Sequence, residues 1–327
     1  MSLTEDEIKS ILEKNKLKKD TYNFIKYSDE IVERAQREFS NILNRASIIQ
    51  IIGEMKNERK LKSTATLSKF KDIIIEQLGL FQPIKIINEY KEDIITRYVA
   101  TYTHVSHYEI ALSLLSKSFL SHYSALYVND LTLNQPKDIY INKEQSSKNS
   151  YNNENTSISQ DRIDYAFSKK MRRTNMIYSF TYNNTSYKVH VLNSKNTNNT
   201  GVVTKKVMGF SSPVRTTNIE RTLIDTTVRP GYSGGPLEIL EAFSRSKDMI
   251  DLQKLWNYLN QFSYSYPYYK SIAFYLKYTG YNYQEELQRL YSTDSRNILT
   301  FYLDYQMIEP LKDDELNIFY PKLISKI

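Results

Sequence analysis

The run GYSGGP contains Ser233 and differs at one position from GDSGGP, the run that carries the nucleophilic serine of trypsin-like proteases. Such a serine needs a histidine base that is oriented by a buried carboxylate, on a fold of two β-barrels. Three of the four histidines, His104, His107 and His122, lie in or beside a segment of helical pattern, and Tyr232 stands where the protease run has aspartate. The residues therefore argue against a serine protease.

The glycines of this run have a structural explanation. Pro236 and an apolar segment of helical spacing follow them, so Gly235 is expected to be an N-cap with Pro236 in the first helical position. Upstream, Thr217 and Glu220 in TNIERTLIDTTV have the T-x-x-E spacing of a capping box. The sequence predicts a helix, a turn and a second helix.

Charged residues accompany this predicted pair of helices. Arg221 and Asp225 are four residues apart and are expected to pair on one helix face. Arg229 follows at the turn, near the free amides of the next helix, where an anion could bind. The alternative is a purely structural linker whose glycines supply positive φ angles.

A metal-dependent nucleic-acid enzyme is a different possibility. Asp161, Asp164 and Asp225 could hold a hard cation through carboxylate oxygens. No pair of carboxylates in a strand context is followed by a suitable lysine, so we expect no catalytic residues, no metal and no cofactor. A protein-interaction module whose basic face meets an acidic partner remains a further alternative.

Length, composition and net charge limit the classes of protein to which this chain can belong. The 327 residues are enough for about two domains at ~100–200 residues each, and they include no cysteine. The charged N-terminal segment and the lack of a run of ~20 apolar residues predict a cytoplasmic protein with no membrane span. A net charge of +7 favours an acidic partner such as nucleic acid.

The first hundred residues predict a winged helix-turn-helix. Three segments have the apolar spacing of helices: 29–45, 46–56 and 63–79. The third is expected to begin at Thr64 or Thr66 and to end at Gly79. Two β-prone runs then suit a hairpin: 83–87 and 93–99. We place a helical extension at 1–28 and a winged-helix DNA-binding domain at 29–102.

Basic residues cluster where this fold would meet DNA. Residues 56–71 contain six lysines or arginines and one acid, and they lead into the third helix. In a helix-turn-helix that helix enters the major groove while neighbouring groups hold phosphates. The candidate DNA-binding residues are Lys62, Ser68, Lys69 and Lys71 near the helix, and Lys91 and Arg97 in the wing. An ordinary solvated helix face is the alternative.

The rest of the chain mixes helices and strands. We expect helix over 103–130, a strand in DIYINKE, a polar loop at 142–160, and a hairpin from MIYSFTY and SYKVHVL. Four helices and two β-prone runs follow. The segment 162–173 has a second basic excess, either for an acidic partner or for solubility. The fold class is therefore α+β, with a larger mixed α/β C-terminal domain at 103–327.

Three runs resemble the AbiEi family, the antitoxins of type IV toxin-antitoxin systems linked to abortive infection. They are FLSHYSALYVNDLTLNQPKDIYINKEQ (119–145), TTNIERTLIDTTVRPGYSGG (216–235) and YPYYKSIAFYLKYTG (266–280). The N-terminal region matches the family in architecture only. The helical extension and the Asn-rich loop at 142–160 depart from the family pattern.

The resemblance implies a repressor and antitoxin. The winged helix would bind inverted repeats in the promoter of its own operon. The C-terminal antitoxin domain would counteract an AbiEii-like nucleotidyltransferase toxin without a stable complex. The run ERTLID carries over from the family as a candidate either for antitoxin function or for holding the fold of the domain. Glu220, Arg221 and Asp225, with Arg229 after them, form this candidate antitoxin element. The resemblance brings no catalytic residues with it.

Overall fold

The computed structural model describes residues 4–14, 21–146, 158–285, 287–288 and 294–326. The chain divides into two compact units. The first comprises Met1–Ser116, Met176–Val189 and Lys206–Val214, and the second comprises Lys117–Asn175, His190–Lys205 and Arg215–Ile327. The first unit thus extends past the boundary expected at residue 102 and takes in two later segments.

Helices and strands are mixed along the chain, as the α+β prediction requires. The α-helices are α1 (Glu5–Lys14), α2 (Tyr22–Lys26), α3 (Ser28–Phe39), α4 (Arg45–Asn57), α5 (Leu67–Phe70), α6 (His107–Leu112), α7 (His122–Val128), α8 (Gln160–Phe167), α9 (Ile219–Val228), α10 (Pro236–Arg245), α11 (Leu252–Phe262) and α12 (Tyr268–Tyr278). The strands are β1 (Ile42–Leu43), β2 (Phe81–Asn88), β3 (Ile94–Ala100), β4 (Phe119–Leu120), β5 (Asp138–Asn142), β6 (Ile177–Tyr182), β7 (Thr185–Leu192), β8 (Val202–Lys205), β9 (Val214–Thr217), β10 (Phe301–Tyr302), β11 (Leu311–Asp313) and β12 (Ile318–Tyr320). Within the described ranges, no helix has the length and apolar character needed to span a membrane.

In the first unit, strands lie side by side in the order β1, β3, β2 and β6, with the first part of β7 next to β6. The β2–β3 hairpin is antiparallel, with Ile87 opposite Ile94, and β1 pairs antiparallel with β3. Along β2, Ile84 and Ile86 are buried whereas Lys85 is exposed, as the two-residue period of a strand requires. The predicted hairpin is confirmed.

The third predicted helix begins and ends where the sequence indicates. The Thr66 hydroxyl accepts a hydrogen bond from the Lys69 amide at 3.3 Å, and Gly79 has a φ of 62°. The helix is not α-helical throughout, because α5 covers one turn and Lys71–Gln77 forms a π-helix. Three consecutive isoleucines of the π-helix, residues 73–75, are buried. In a regular α-helix, three consecutive residues point in different directions and would not all lie on the single apolar stripe that faces the core.

A charge network joins α3, α4 and the turn that follows α4. The Arg34 guanidinium donates to Glu30 at 2.6 Å, to Glu54 at 3.0 Å and to Glu58 at 2.7 Å. The Lys60 ammonium bridges Glu30 and Glu58 at 2.7 and 2.9 Å. Hydrogen bonds from Arg34 and Lys60 lower the pKa of Glu58 to about 2. Lys60 therefore holds the fold of the basic segment rather than adding free positive charge.

The second unit contains several strands and its own core. The last part of β7, then β5, β4, β9 and β8 lie side by side, and β4 runs parallel to β9. Helices α9 to α12 surround a core that includes Trp256, Phe243 and Phe274. A separate sheet has the order β10, β12, β11, with β10 parallel to β12.

Several local predictions for residues 103–327 can be compared with this fold. Strand β5 and the β6–β7 hairpin are confirmed, and Asn183 and Asn184 have the positive φ angles of a tight hairpin turn. The expected helix over 103–130 is wrong in part, because β4 separates α6 from α7. Most of the polar loop at 142–160 and part of the predicted helix at 283–291 lie outside the described residues.

Replacing Arg34 with methionine should destabilise the first unit. Removing one partner of a buried ion pair costs roughly 3–5 kcal/mol, and screening at the half-exposed Glu54 and Glu58 reduces this, so we expect the free energy of unfolding to fall by about 2 kcal/mol. Urea unfolding followed by circular dichroism measures the change. The matched variant Arg37→Met removes a side chain that is 68% exposed and should change stability by less than about 0.5 kcal/mol. Equal effects of the two variants would contradict this role.

Candidate functional site

The candidate DNA-binding residues near α5 lie close together in the first unit. Lys62 and Ser68 are exposed, and Lys69 and Lys71 are partly exposed. The Lys69 ammonium donates to the backbone carbonyl of Thr64 at 3.0 Å. The Thr66 cap places Ser68 and Lys69 in the first turn of the helix, the end that reads base edges in a helix-turn-helix.

One lysine of this group also touches the hairpin. The Lys71 ammonium lies 5.3 Å from the centroid of the Tyr98 ring on β3, a cation–π distance. Because Tyr98 is buried, this contact fixes the start of the π-helix against the hairpin. The basic end of α5 and the outer face of the hairpin are therefore held in one arrangement.

Arg97 has a structural role that the sequence did not reveal. Its Nε and Nη2 donate to the Ser113 carbonyl at 3.2 and 2.8 Å, and its Nη1 donates to the Thr96 carbonyl at 3.2 Å. Burial lowers the pKa of Arg97. The guanidinium secures the end of α6, so Arg97 is a weaker candidate for DNA contact than the lysines near α5.

The tip of the hairpin is acidic as well as basic. Lys91 is exposed there as predicted, but Glu89, Glu92 and Asp93 are exposed in the same turn. The Lys188 ammonium lies 3.4 Å from Glu89. Three carboxylates beside the two ammonium groups of Lys91 and Lys188 offset the attraction of the tip for phosphate, so Lys91 is a weaker candidate than the lysines near α5.

Lys85 is a candidate that sequence reasoning missed. It is exposed on β2 opposite Thr96, on the hairpin face that also carries Tyr98 two residues along β3. This is the face that Lys71 contacts. The alternation of buried and exposed residues in QPIKIIN could have identified it, since Lys85 stands between Ile84 and Ile86.

Helix α9, which carries ERTLID, begins one residue later than predicted. Asn218 is its N-cap, and the Asn218 side chain accepts from the Arg221 amide at 3.1 Å. The capping box of Thr217 and Glu220 is therefore wrong. Glu220 does not reach back to the cap but accepts from the Asp251 amide at 3.1 Å, which ties α9 to the start of α11. Asparagine is at least as good an N-cap as threonine, so Asn218 caps the helix instead of Thr217.

The predicted pair of Arg221 and Asp225 is confirmed, and it lies inside the protein. Arg221 is 2% exposed, and its Nε donates to both Asp225 oxygens at 2.9 and 3.0 Å. Its Nη1 donates to the Thr197 hydroxyl at 2.8 Å and to the Thr200 carbonyl at 2.7 Å. The Glu144 carboxylate lies 3.4 Å from Nη2.

Glu144 extends this cluster to the loop that follows β7. It accepts from the amides of Thr197 and Asn199 at 2.8 and 3.0 Å, and the Thr197 hydroxyl also donates to it. Burial opposes ionisation of Glu144, but these hydrogen bonds outweigh it and lower its pKa. Burial raises the pKa of Asp225 even though Arg221 acts in the opposite direction. Three of the four candidate antitoxin residues are thus buried structural groups.

Arg229 differs from the other residues of the candidate antitoxin element. It is partly exposed at the end of α9, and its guanidinium has no hydrogen bond or ion pair to any residue that the structure describes. The turn after it has Gly234 and Gly235 at φ angles of 81° and 87°, with Gly235 as N-cap and Pro236 in the first helical position, as predicted.

Neither catalytic possibility from the sequence is assembled in the described residues. The Ser233 hydroxyl is buried and has no hydrogen-bond partner among them, so the contact between nucleophile and base is missing. No group of three or more histidine, aspartate or glutamate side chains in the described part of the chain is placed to hold a metal. Asp164 instead accepts from Gln160 and Tyr302, and Asp225 is bound to Arg221.

Comparisons with known proteins add nothing to this picture. No protein-family model matches the chain, and no curated protein matches it at a significant level.

Replacing Arg221 with methionine should leave Asp225 buried without its counter-charge. We expect the free energy of unfolding to fall by about 3–5 kcal/mol, measured by urea denaturation. The double variant Arg221→Met, Asp225→Asn should lose less than the sum of the two single changes, because the second change removes the stranded charge. Strictly additive losses would contradict the buried pair.

Stability should also depend on pH through His122. Burial, helped by the positive charges of Arg229 and Arg221, lowers the pKa of His122 from 6.5 to about 3. Below pH 6.5 the unfolded chain therefore takes up a proton that the folded chain refuses, and stability falls by up to about 1.4 kcal/mol per pH unit from this group. His122→Asn keeps a residue type that tolerates the φ of 51° and removes the titration.

The measurement is the free energy of unfolding of both proteins between pH 8 and pH 4.5. The loss on acidification should be smaller in the variant, although His107, whose pKa burial lowers to about 4, still contributes in both. Identical losses in the two proteins would show that His122 is protonated in the folded state.

Proposed function

We propose that the chain is a DNA-binding autorepressor and antitoxin similar to the AbiEi family. In this proposal the first unit binds inverted repeats in the promoter of its own operon. The second unit counteracts an AbiEii-like nucleotidyltransferase toxin without forming a stable complex with it. The protein acts in the cytoplasm and has no enzymatic activity.

The element order of the first unit is the observation that carries the repressor half. Helix α3, strand β1, helices α4 and α5, and the β2–β3 hairpin follow one another, and β1 adds to the edge of β3. The same order of elements occurs in winged helix-turn-helix proteins, which supports the proposal that α5 acts as the recognition helix.

The charges around α5 support the same assignment. Lys62, Lys69, Lys71 and Lys85 lie near α5 or on the adjoining hairpin face. Of these, Lys62, Lys71 and Lys85 have no ion pair among the described residues. Phosphate contacts of this kind supply affinity and fix the orientation on DNA, whereas Ser68 in the first turn of α5 suits contact with a base edge.

The burial of ERTLID bears on the antitoxin half. Because Glu220, Arg221 and Asp225 are inside the second unit, they act in this proposal by holding its fold. Contact with a partner or a nucleic acid then belongs to surface residues of the unit, of which Arg229 is the member of the candidate element that solvent reaches.

A protein-interaction module is the second candidate function. The hairpin exposes Ile87 and Ile94 as a directly opposed pair, with Ile94 60% exposed, and Tyr90 is exposed in the tip. An apolar pair rimmed by the charged tip residues is a surface that a protein partner would cover.

Gel-shift titration of the full-length protein tests the repressor half. The probe is the DNA upstream of its own gene, and a scrambled duplex of equal length is the control, at two salt concentrations. We expect selective binding that Lys62→Ala, Lys69→Ala, Lys71→Ala together weaken, with the salt slope reduced by roughly 2–3 since each phosphate contact contributes about 0.9.

The matched control changes Lys247, Lys312 and Lys322 of the second unit to alanine, which removes the same charge from exposed positions. Equal affinity for both duplexes, or equal loss in the two triple variants, would refute the repressor and favour the interaction module.

A further inference from the structure

The second unit carries a basic surface that the proposed function does not use. Five exposed cations lie on α8 and the segment after it: Arg162, Lys169, Lys170, Arg172 and Arg173. None of the five has an ion pair within the part of the chain that the structure describes. Helix α8 also carries two acids: Asp161, which is exposed in its first turn, and Asp164, which accepts hydrogen bonds from Gln160 and Tyr302.

An aromatic ring stands among these cations. Tyr165 is 69% exposed on α8, and the Lys169 ammonium lies 5.0 Å from the centroid of its ring. An exposed ring beside free cations is the combination that binds single-stranded nucleic acid, because an unpaired base stacks on the ring while the cations meet the phosphates.

The segment after α8 is held at both ends by contacts with tyrosines. At one end, the Phe167 ring stacks on Tyr305 with centroids 4.5 Å apart, and at the other the Thr174 amide donates to the Tyr232 hydroxyl at 2.7 Å. Burial raises the pKa of both tyrosines, and the positive charge of Arg229 acts against that rise in both.

Arg173 approaches the turn that follows Arg229. Its Nη2 lies 3.8 Å from the position that a Cβ on Gly231 would occupy. Arg173 also acts against the raised pKa of Tyr232, as Arg229 does. Two arginines without carboxylate partners among the described residues thus share the surroundings of one tyrosine. A guanidinium without a carboxylate partner can bind a phosphate through two parallel hydrogen bonds.

We propose that α8, the segment 168–173 and Arg229 form a binding surface for single-stranded nucleic acid. Arg172, Arg173 and Arg229 bind consecutive phosphates, and an unpaired base stacks on Tyr165. A duplex would bury its bases within its own stack and leave Tyr165 without a partner. This surface is independent of promoter binding by the first unit and goes beyond the proposed function.

Fluorescence anisotropy of the full-length protein tests the surface. The probes are a labelled 15-nucleotide single-stranded RNA of mixed sequence, the same sequence as single-stranded DNA, and its duplex. All proteins carry Lys62→Ala, Lys69→Ala and Lys71→Ala, so that the candidate promoter-binding residues do not contribute. We expect tighter binding of a single strand than of the duplex, and the RNA and DNA arms show which strand is preferred.

Two variants and one control make the test specific. Arg172→Ala with Arg173→Ala changes only exposed residues and should weaken single-strand binding at least tenfold, with a shallower salt slope. Tyr165→Ala should weaken it at least fivefold without changing that slope, which a merely electrostatic surface would not show. The control Lys312→Ala with Lys322→Ala removes equal charge elsewhere in the unit and should leave binding unchanged.

Equal affinity for single strand and duplex would overturn the proposal. So would equal losses in the arginine variant and the lysine control, or full binding by Tyr165→Ala. Arg229→Gln, checked for folding by circular dichroism, should add a further loss to the arginine variant. Promoter selectivity is measured separately on the protein with its lysines intact, so failure of one test leaves the other standing.

Discussion

The buried guanidinium of Arg221 is the group around which one side of the second unit is organised. A charge taken out of water requires partners for every donor, and Arg221 finds them in three separate stretches of chain. Asp225 comes from its own helix, Glu144 from the end of β5, and Thr197 from the loop after β7. Because each partner is fixed by hydrogen-bond geometry, the loop and the strand end are held against α9.

The buried Arg221 also restricts which residue the neighbouring loop can have at position 201. Gly201 has a φ of 74°, and a Cβ there would come within 2.7 Å of the Arg221 Cβ, so the loop passes the arginine only as glycine backbone. Buried ion clusters contribute little net stability against an apolar core of equal volume, but they admit few alternative arrangements. ERTLID thus serves the shape of the unit, which is consistent with its lack of solvent-exposed charge.

The features that the sequence predicted depend on neighbours along the chain. The Thr66 cap, the Gly79 end of the third helix and the turn at Asn183 are set by bonds that span a few residues, and periodicity shows which face is buried. The Arg221–Asp225 pair was predictable for the same reason, since it spans one helical turn. The capping box failed by one position because Asn218 competes locally with Thr217.

The features that were missed depend on distant partners. Nothing in the sequence near Arg97 shows that the Ser113 carbonyl will receive its guanidinium, and nothing near Lys60 shows that Glu30 will neutralise it. A count of basic residues treats such cations as equal to free ones. The π-helix at Lys71–Gln77 is a similar case, because tertiary burial of three successive isoleucines decides it.

The net charge of a segment therefore predicts an acidic partner only when the charges that form ion pairs within the protein are left out of the count. In the first basic segment Lys60 is neutralised within the network of Arg34, whereas the cations of 162–173 make no ion pair with any residue that the structure describes. The positive electrostatic potential at the surface of the second unit is therefore less neutralised near residues 162–173. If the chain is an antitoxin that forms no stable complex with its toxin, as we propose, it acts on the target of the toxin or on the toxin's effect. Under our two proposals, a single-stranded nucleic acid held on the second unit would be that target, reached through surface charge rather than through ERTLID.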